Sequence, residues 1–160
     1  MSISPGDRIP EVTLTIMGNN GPQPVSSSEL LGSGLSVLFA VPGAFTPTCS
    51  AEHLPGFVNH AAALKAKGVD RIVCMAVNDV FVMDAWGKEG GADDDITMAA
   101  DGNGSFAQAL GLEMDASAFG MGMRSQRFAM IIRDGVVEKL LVEAPGEFRV
   151  SSAEYVVEHL

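Results

Sequence analysis

Cys49 is the residue of this sequence that is best suited to act as a nucleophile. The apolar run from Val37 to Val41 predicts a buried strand, and the breaker pair Pro42-Gly43 ends it. A short loop with Thr46 follows, and the residues after Cys49 are compatible with a helix. A helix N-terminus offers partial positive charge and unpaired N–H groups, which stabilise a thiolate, the reactive form of cysteine. The sequence therefore predicts a reactive thiol at this junction.

The loop residues around Cys49 favour this prediction but leave an alternative open. Thr46 carries a hydroxyl that could donate a hydrogen bond to the thiolate or to an oxygen of the substrate. Pro42 and Pro47 would stiffen the loop, exclude water and shield the sulfur. The alternative is a buried, inert cysteine, which is common in protein cores.

The second cysteine, Cys74, lies between Val73 and Met75 in an apolar predicted strand, as a small core residue would. Its functional alternative is a resolving thiol for Cys49. No cysteine lies two residues beyond Cys49 to complete a Cys-x-x-Cys exchange motif, and two cysteines are too few for a disulfide framework or a cysteine-rich zinc site. This usage is typical of a reducing compartment.

One histidine and two arginines are the remaining candidates for chemistry. His53 follows Cys49 by one helical turn, so it could be the base of a cysteine hydrolase or could orient other groups. Arg124 and Arg127 flank the start of a predicted strand. If that strand neighbours the Cys49 loop, an arginine there would stabilise the thiolate and bind a peroxidic or anionic oxygen. A solvated strand end is the alternative.

Length and composition favour a single domain spanning residues 1–160. The chain is 47% hydrophobic, enough for a core, and its 20 acidic against 10 basic residues give a net charge of −10. That charge is poorly suited to binding nucleic acid or anionic membranes. Met1–Asp7 lacks the basic start and apolar core of a signal peptide, and no apolar run approaches a membrane helix in length. We therefore expect a soluble, cytoplasmic protein.

The order of the predicted elements indicates a mixed sheet with helices on both faces. An N-terminal β-hairpin is predicted from the alternating segment 11–16, the turn 18–21 and a return strand 23–25. The later elements are predicted as strand 35–41, helix 50–67 kinked or split at Pro55-Gly56, strand 71–77, helix 80–88, strand 96–100, helix 105–110, an irregular stretch 113–123, a hairpin of strands 127–133 and 136–142, and helix 153–160. The β-α-β order implies parallel strands, and the closing hairpin adds an antiparallel pair. A reactive cysteine at the first strand-to-helix junction of such an α/β sheet is the arrangement of thioredoxin-like folds.

The string Pro42-Gly-Ala-Phe-Thr-Pro-Thr-Cys-Ser50, followed by His53-Leu-Pro-Gly-Phe57, resembles the active-site signature of type II (atypical two-cysteine) peroxiredoxins. The similarity continues in order along nearly the whole chain, through segments 65–68, 77–79, 81–82, 85–87, 100–101 and 127–128. The resemblance implies a thioredoxin-like fold and reduction of hydrogen peroxide and alkyl hydroperoxides in antioxidant defence. It implies that no metal or organic cofactor is needed.

The resemblance also assigns roles to matching positions. Cys49 would be the peroxidatic thiolate that becomes a sulfenic acid. Thr46 would hold the thiolate and the peroxide, and Arg127 would stabilise the thiolate and polarise the O–O bond. The further site residues implied are Pro42 and Thr48 at the substrate, with His53 and Arg124 supporting the catalytic groups.

The segment Gly146–Ser152 departs from the animal members of the family, which carry a resolving cysteine in this loop. Here it has none, as in plant and bacterial members. We therefore expect an external thiol, from glutathione with glutaredoxin or from thioredoxin, to reduce the sulfenic acid. The family also implies a homodimer formed through the active-site end. A redox sensor with little turnover, and more remotely a cysteine hydrolase, remain as alternatives.

Overall fold

A seven-stranded mixed β-sheet forms the centre of the protein in the computed structural model, which describes residues 2–160; Met1 lies outside this range. The strands are β1 (Thr13–Gly18), β2 (Gly21–Ser26), β3 (Leu35–Ala40), β4 (Arg71–Ala76), β5 (Thr97–Ala100), β6 (Glu113–Asp115), β7 (Met123–Ser125), β8 (Phe128–Arg133) and β9 (Val136–Val142). The helices are α1 (Ser27–Leu31), α2 (Leu54–Ala66), α3 (Val80–Gly90), α4 (Ser105–Leu110) and α5 (Ala153–Glu158). The sheet order is β2-β1-β5-β4-β3-β8-β9, and β6 and β7 form a separate small hairpin.

Strand β3, between β4 and β8, is buried along its whole length, which explains why all of its residues except Ser36 are apolar. It pairs in parallel with β4 and antiparallel with β8, and β4 pairs in parallel with β5. The N-terminal hairpin β1–β2 joins the sheet through β5. The mixed sheet and both predicted hairpins are therefore present.

Successive β3 side chains enter different cores because strand residues alternate between the two faces of a sheet. Val37 and Phe39 pack in the core formed with α2, α3 and α5, whereas Leu38 and Ala40 pack in the core formed with α1 and α4. Helices thus cover both faces of the sheet, as predicted. None of the helices within residues 2–160 has the length and apolar character needed to cross a membrane.

The helix predicted from residue 50 begins differently, in a π-helical turn. This turn spans Cys49–His53, and the N–H of Leu54 donates to the carbonyl of Cys49, five residues back. Pro55 has no N–H to donate to Ala51, so a regular α-helix cannot continue through this point. The predicted split is therefore real, but it lies just before Pro55-Gly56.

The stretch predicted as irregular, residues 113–123, contains structure that the sequence did not indicate. Strands β6 and β7 pair across a 3₁₀ turn, Ser117–Phe119. Each strand has only three residues, too few to show an alternating pattern. Gly120 and Gly122, with φ of 71° and 68°, supply the left-handed conformation that the connection requires.

Candidate active site

Cys49 occupies the first position of the π-helical turn, and its side chain is fully buried. The loop that precedes it is fixed at several points. The N–H of Ala44 donates to Asn78 Oδ1 at 2.9 Å, and the N–H of Ser50 donates to the carbonyl of Thr46 at 2.9 Å. Trp86 Nε1 donates to Ser50 Oγ at 2.9 Å, which ties the turn to α3. The loop is therefore held in place before any substrate arrives.

Arg127 contacts the sulfur directly: its Nη2 donates to Cys49 Sγ at 3.0 Å. The strand register explains this contact. Ala40 pairs with Phe128, so the residue before β8 lies opposite the point at which β3 ends and the Cys49 loop begins. A guanidinium at this distance provides a charge-assisted hydrogen bond to a thiolate.

His53 holds the other side of the guanidinium, because its Nδ1 lies 2.8 Å from Arg127 Nη1. Its Nε2 lies 2.9 Å from the carbonyl of Ser151, which can only accept a hydrogen bond. Nε2 therefore carries the proton, and Nδ1 accepts from Arg127. Burial and the charge of Arg127, opposed by the bond to Ser151, lower the pKa of His53 to about 3. The ring is neutral and both nitrogens are engaged, so a Cys49–His53 hydrolase pair is not formed.

Phe148 packs against both Arg127 and His53. Its ring centroid lies 5.8 Å from Arg127 Cζ, in the range of a cation–π contact, and 5.0 Å from the centroid of the His53 ring. Phe39 packs on His53 at the same centroid distance, 5.0 Å, from the sheet side. The imidazole is thus packed between two aromatic rings, which leaves it little freedom to turn away from Arg127.

Thr46 lies in the loop, but its hydroxyl hydrogen points elsewhere than predicted. Oγ1 donates to the carbonyl of Gly43 at 2.7 Å. The predicted hydrogen bond from Thr46 to the thiolate is therefore wrong, because the hydroxyl donates to a backbone carbonyl three residues earlier. The oxygen keeps its lone pairs and can accept a hydrogen bond from the O–H of a hydroperoxide.

Arg124 supports the loop without reaching the sulfur. Its Nε donates to the carbonyl of Met121 at 2.9 Å, and its Nη1 donates to the carbonyl of Pro42 at 3.4 Å. These bonds connect the β6–β7 hairpin to the start of the Cys49 loop.

A cavity of about 560 Å³ lies beside this group of residues. Pro42, Thr48 and Arg127, all predicted as site residues, line it together. Met114 and Phe119 add apolar surface from the β6–β7 hairpin region. A small polar molecule, with or without an alkyl group, could therefore reach Arg127, the residue that contacts the sulfur, through this cavity.

Cys74 lies in β4, directly beside Phe39 of β3, and is fully buried. Both thiols are free. Burial, followed by the negative charge of Cys49 and opposed by Arg127, raises the pKa of the Cys74 thiol well above its usual value. Cys74 therefore stays protonated near neutral pH and is a poor nucleophile.

Two contributors to the site were not predicted, Glu143 and Phe148. Glu143 is buried and accepts hydrogen bonds from the backbone of residues 149–151, and Phe148 packs on Arg127. Their only sequence signals are a single acidic residue at the end of an apolar strand and a single aromatic residue in a loop. Neither signal distinguishes them from ordinary surface residues.

Comparisons with known proteins give matches along nearly the whole chain. Residues 4–157 match the Redoxin family. Peroxiredoxin-2B of Arabidopsis thaliana is 46% identical over 159 residues, covering 99% of this chain and 98% of that protein. Peroxiredoxin-2E, chloroplastic, from the same plant is 47% identical over 157 residues, covering 96% of this chain and 67% of that protein. The crystal structure of reduced Prx3 from Vibrio vulnificus in complex with hydrogen peroxide has a TM-score of 0.94 and 52% identity, with 98% of each chain covered.

The fold is thioredoxin-like, as predicted, and the activity is that of a thiol-dependent peroxidase. The chain belongs to the peroxiredoxin family, and its relatives are of the type II group that its active-site string resembles. The predictions of family, fold and peroxidase activity are confirmed.

Proposed function

We propose that Cys49 is the peroxidatic residue and that hydrogen peroxide and alkyl hydroperoxides are its substrates. The observation that carries this proposal is the 3.0 Å hydrogen bond from Arg127 Nη2 to Cys49 Sγ. A thiolate held by a guanidinium beside a cavity with apolar walls suits a substrate that has a polar O–O group and a small or apolar remainder.

The reaction follows from the groups present. The Cys49 thiolate attacks the terminal peroxide oxygen, an S–O bond forms and the O–O bond breaks, which leaves a sulfenic acid. The leaving oxygen departs with the electron pair and takes a proton to become water or an alcohol. Arg127 stabilises the thiolate and then the charge that develops on the leaving oxygen, and Thr46 Oγ1 accepts from the hydroperoxide. Pro42 and Thr48 bound the approach path.

The test of this assignment is peroxide consumption by two cysteine variants. Cys49→Ser should abolish consumption, because serine supplies no thiolate. Cys74→Ser is the matched control and should retain most of the activity. Activity that survives in Cys49→Ser would remove Cys49 from the peroxidatic role.

We also propose that an external thiol reduces the sulfenic acid. The incoming thiol attacks the sulfenic sulfur, forms a mixed disulfide and releases water; a second thiol then restores Cys49. Two observations support an external source: Cys74 is fully buried with a raised pKa, and the loop 146–152 has no cysteine. Glutathione with glutaredoxin, or thioredoxin, would supply the reductant.

Steady-state turnover with glutathione/glutaredoxin and with thioredoxin, each supplied separately, tests this second proposal. Rapid turnover with either system identifies the reductant. Turnover that needs Cys74 would contradict external resolution, and slow, substoichiometric consumption with every reductant would favour the redox-sensor alternative.

We propose a homodimer formed through the active-site end. The support for it is a set of exposed apolar residues at that end. Phe45 is 48% exposed, Phe81 64%, Phe119 83% and Met123 54%. Phe45 and Phe81 follow the C-terminal ends of β3 and β4, and the other two belong to the β6–β7 hairpin region. Large apolar side chains exposed around one site are typical of an association surface.

We propose a cytoplasmic location, supported by two cysteines that are both free thiols and by the need for a thiol reductant. Fractionation of source cells with an antibody to the protein tests this proposal; enrichment with an organelle or envelope fraction would contradict it.

A further inference from the structure

The carboxylate of Glu143 is a charged group in the interior to which the peroxidase chemistry assigns no role. Its residue is 7% exposed. Oε2 accepts from the N–H of Val150 at 2.8 Å and from both the N–H and the Oγ of Ser151 at 2.7 Å. The N–H of Arg149 donates to both carboxylate oxygens at 2.8 Å. Within residues 2–160 no ion pair involves this carboxylate, so these donors alone compensate its buried charge.

Glu143 is linked to Arg127 by a direct backbone hydrogen bond and to His53 through Ser151. Its own N–H donates to the carbonyl of Arg127 at 3.0 Å, because Glu143 directly follows β9, which pairs with β8. On the other side, its carboxylate fixes Ser151, whose carbonyl accepts from His53 Nε2 at 2.9 Å. The same loop carries Phe148, which packs on Arg127 and His53.

Residues 149–151 determine which nitrogen of His53 accepts a hydrogen bond from the guanidinium of Arg127. With the Ser151 carbonyl in place, Nε2 is the donor and Nδ1 accepts from Arg127 Nη1 at 2.8 Å. Nη2 then remains directed at the sulfur. If residues 149–151 moved, the imidazole would lose the bond that fixes its tautomer, and Arg127 would lose its second anchor.

The carboxylate remains charged where the enzyme works. Burial by itself would raise the pKa of Glu143, but the hydrogen bonds from Ser151, Arg149 and Val150 outweigh it, and the net result is a lowered pKa. A charged carboxylate accepts all these bonds, whereas a neutral amide would place an NH₂ group against backbone donors.

We propose that Glu143 is a positioning residue for the peroxidatic thiolate: by holding residues 149–151 it fixes Ser151, His53 and Arg127 in turn, and so sets the reactivity of Cys49. This inference rests on the proposed function of Cys49 and adds a residue that lines the cavity but acts on the sulfur only through other residues.

The experiment compares Glu143→Gln with Glu138→Gln, which removes the same charge from an exposed position on β9. The reduced proteins are mixed with hydrogen peroxide in single-turnover measurements, and the thiolate of Cys49 is titrated by its ultraviolet absorbance. We expect Glu143→Gln to react about tenfold more slowly at neutral pH and its thiolate to form at higher pH, since small displacements of catalytic groups have effects of at least this size. Glu138→Gln should match the wild type in both measurements.

A second variant keeps the inference testable if Glu143→Gln does not fold. Ser151→Ala removes one of the donors to the carboxylate and leaves the backbone in place, so it should shift both measurements in the same direction by less. When His53 is already replaced by alanine, adding Glu143→Gln should slow the reaction little further. The reason is that Glu143 acts on Arg127 through Ser151 and His53.

Glu143→Gln and Ser151→Ala proteins that fold, react at the wild-type rate and give the wild-type thiolate titration would overturn this inference, while the proposed function would stand. Peroxide consumption retained in Cys49→Ser would overturn the proposed function instead, so the two failures are distinguishable.

Discussion

At the scale of single residues, the site depends on one guanidinium that makes hydrogen bonds to two partners. Arg127 directs Nη2 to the sulfur and Nη1 to His53, so a fixed, planar cation with several donors is required at this position. A lysine would present a single ammonium and could not keep both bonds in one geometry. His53 is thus an acceptor that orients the arginine.

The buried His53 predicts a specific dependence of stability on pH. Its pKa falls from 6.5 in the unfolded chain to about 3 in the fold, because burial and then Arg127 disfavour the charged ring. Between these values the unfolded chain binds a proton that the folded chain does not, so stability decreases as the pH decreases. For this residue alone the slope reaches about 1.4 kcal/mol per pH unit.

His53→Gln removes that titration and can keep both bonds, since an amide donates through its NH₂ and accepts through its oxygen. Denaturant unfolding between about pH 4 and 6 should therefore give a shallower pH slope for the variant than for the wild type. Equal slopes for the variant and the wild type would contradict a neutral, buried His53.

Residue types and spacing were enough to bring Cys49, Thr46 and Arg127 forward as candidates. They could not indicate that Thr46 donates to the Gly43 carbonyl, because the competing acceptor depends on loop conformation. Glu143 was missed for a related reason: its partners are backbone N–H groups, which have no signature in a sequence.

At the scale of elements, the π-helical turn and the β3–β8 register together bring the sulfur to the arginine. The apolar pattern predicted both strands, but not their antiparallel pairing, which depends on contacts between residues about ninety positions apart. Pro55-Gly56 correctly indicated an interrupted helix. Residue propensities could not show that the interruption is a π-helical turn, because that depends on which backbone groups form hydrogen bonds.

Pro55→Ala tests the role of the π-helical turn. Alanine restores an N–H that can donate to the carbonyl of Ala51, so the turn can relax toward a regular α-helix and Cys49 would rotate away from Arg127. We expect an unchanged or higher melting temperature together with peroxide reduction slowed about tenfold.

Gly56→Ala is the matched control for that experiment. A Cβ at Gly56 would meet only Ala153 Cβ, at 3.9 Å, which is an ordinary contact. This variant should gain about 0.5–1 kcal/mol of helix stability and keep the wild-type rate. If Pro55→Ala reacted as fast as Gly56→Ala, the geometry of the turn would not matter for reactivity.

At the scale of the whole molecule, alternating strands, the β-α-β order and the closing hairpin were sufficient to predict a mixed sheet covered by helices on both faces. The small β6–β7 hairpin was beyond this approach, although it supplies Arg124 and part of the cavity wall.

The exposed apolar end of the molecule predicts the effect of one further change. Phe119→Glu places a charge on the most exposed of the large apolar side chains at that end and should shift the protein from dimer to monomer in light scattering at micromolar concentration. Phe81→Ser tests the same surface from α3. A wild-type protein that is monomeric at every accessible concentration would contradict the proposed dimer.

The complete burial of Cys49 has a consequence for the oxidised enzyme. The sulfur has no exposed surface and Cys49 does not line the cavity, so a reducing protein cannot contact the sulfur in this conformation. If the proposed external reductant is a protein thiol, the turn has to open locally before that thiol can attack, and the free energy of opening would then limit recycling. While the turn stays closed, a second peroxide can carry the sulfenic acid on to the sulfinic acid, which is not readily reversed. Two hydrogen bonds that hold this loop, from Ala44 N–H to Asn78 Oδ1 and from Trp86 Nε1 to Ser50 Oγ, therefore influence how long the sulfenic acid is exposed to further oxidation. Stronger bonds would lengthen that exposure, and weaker bonds would shorten it.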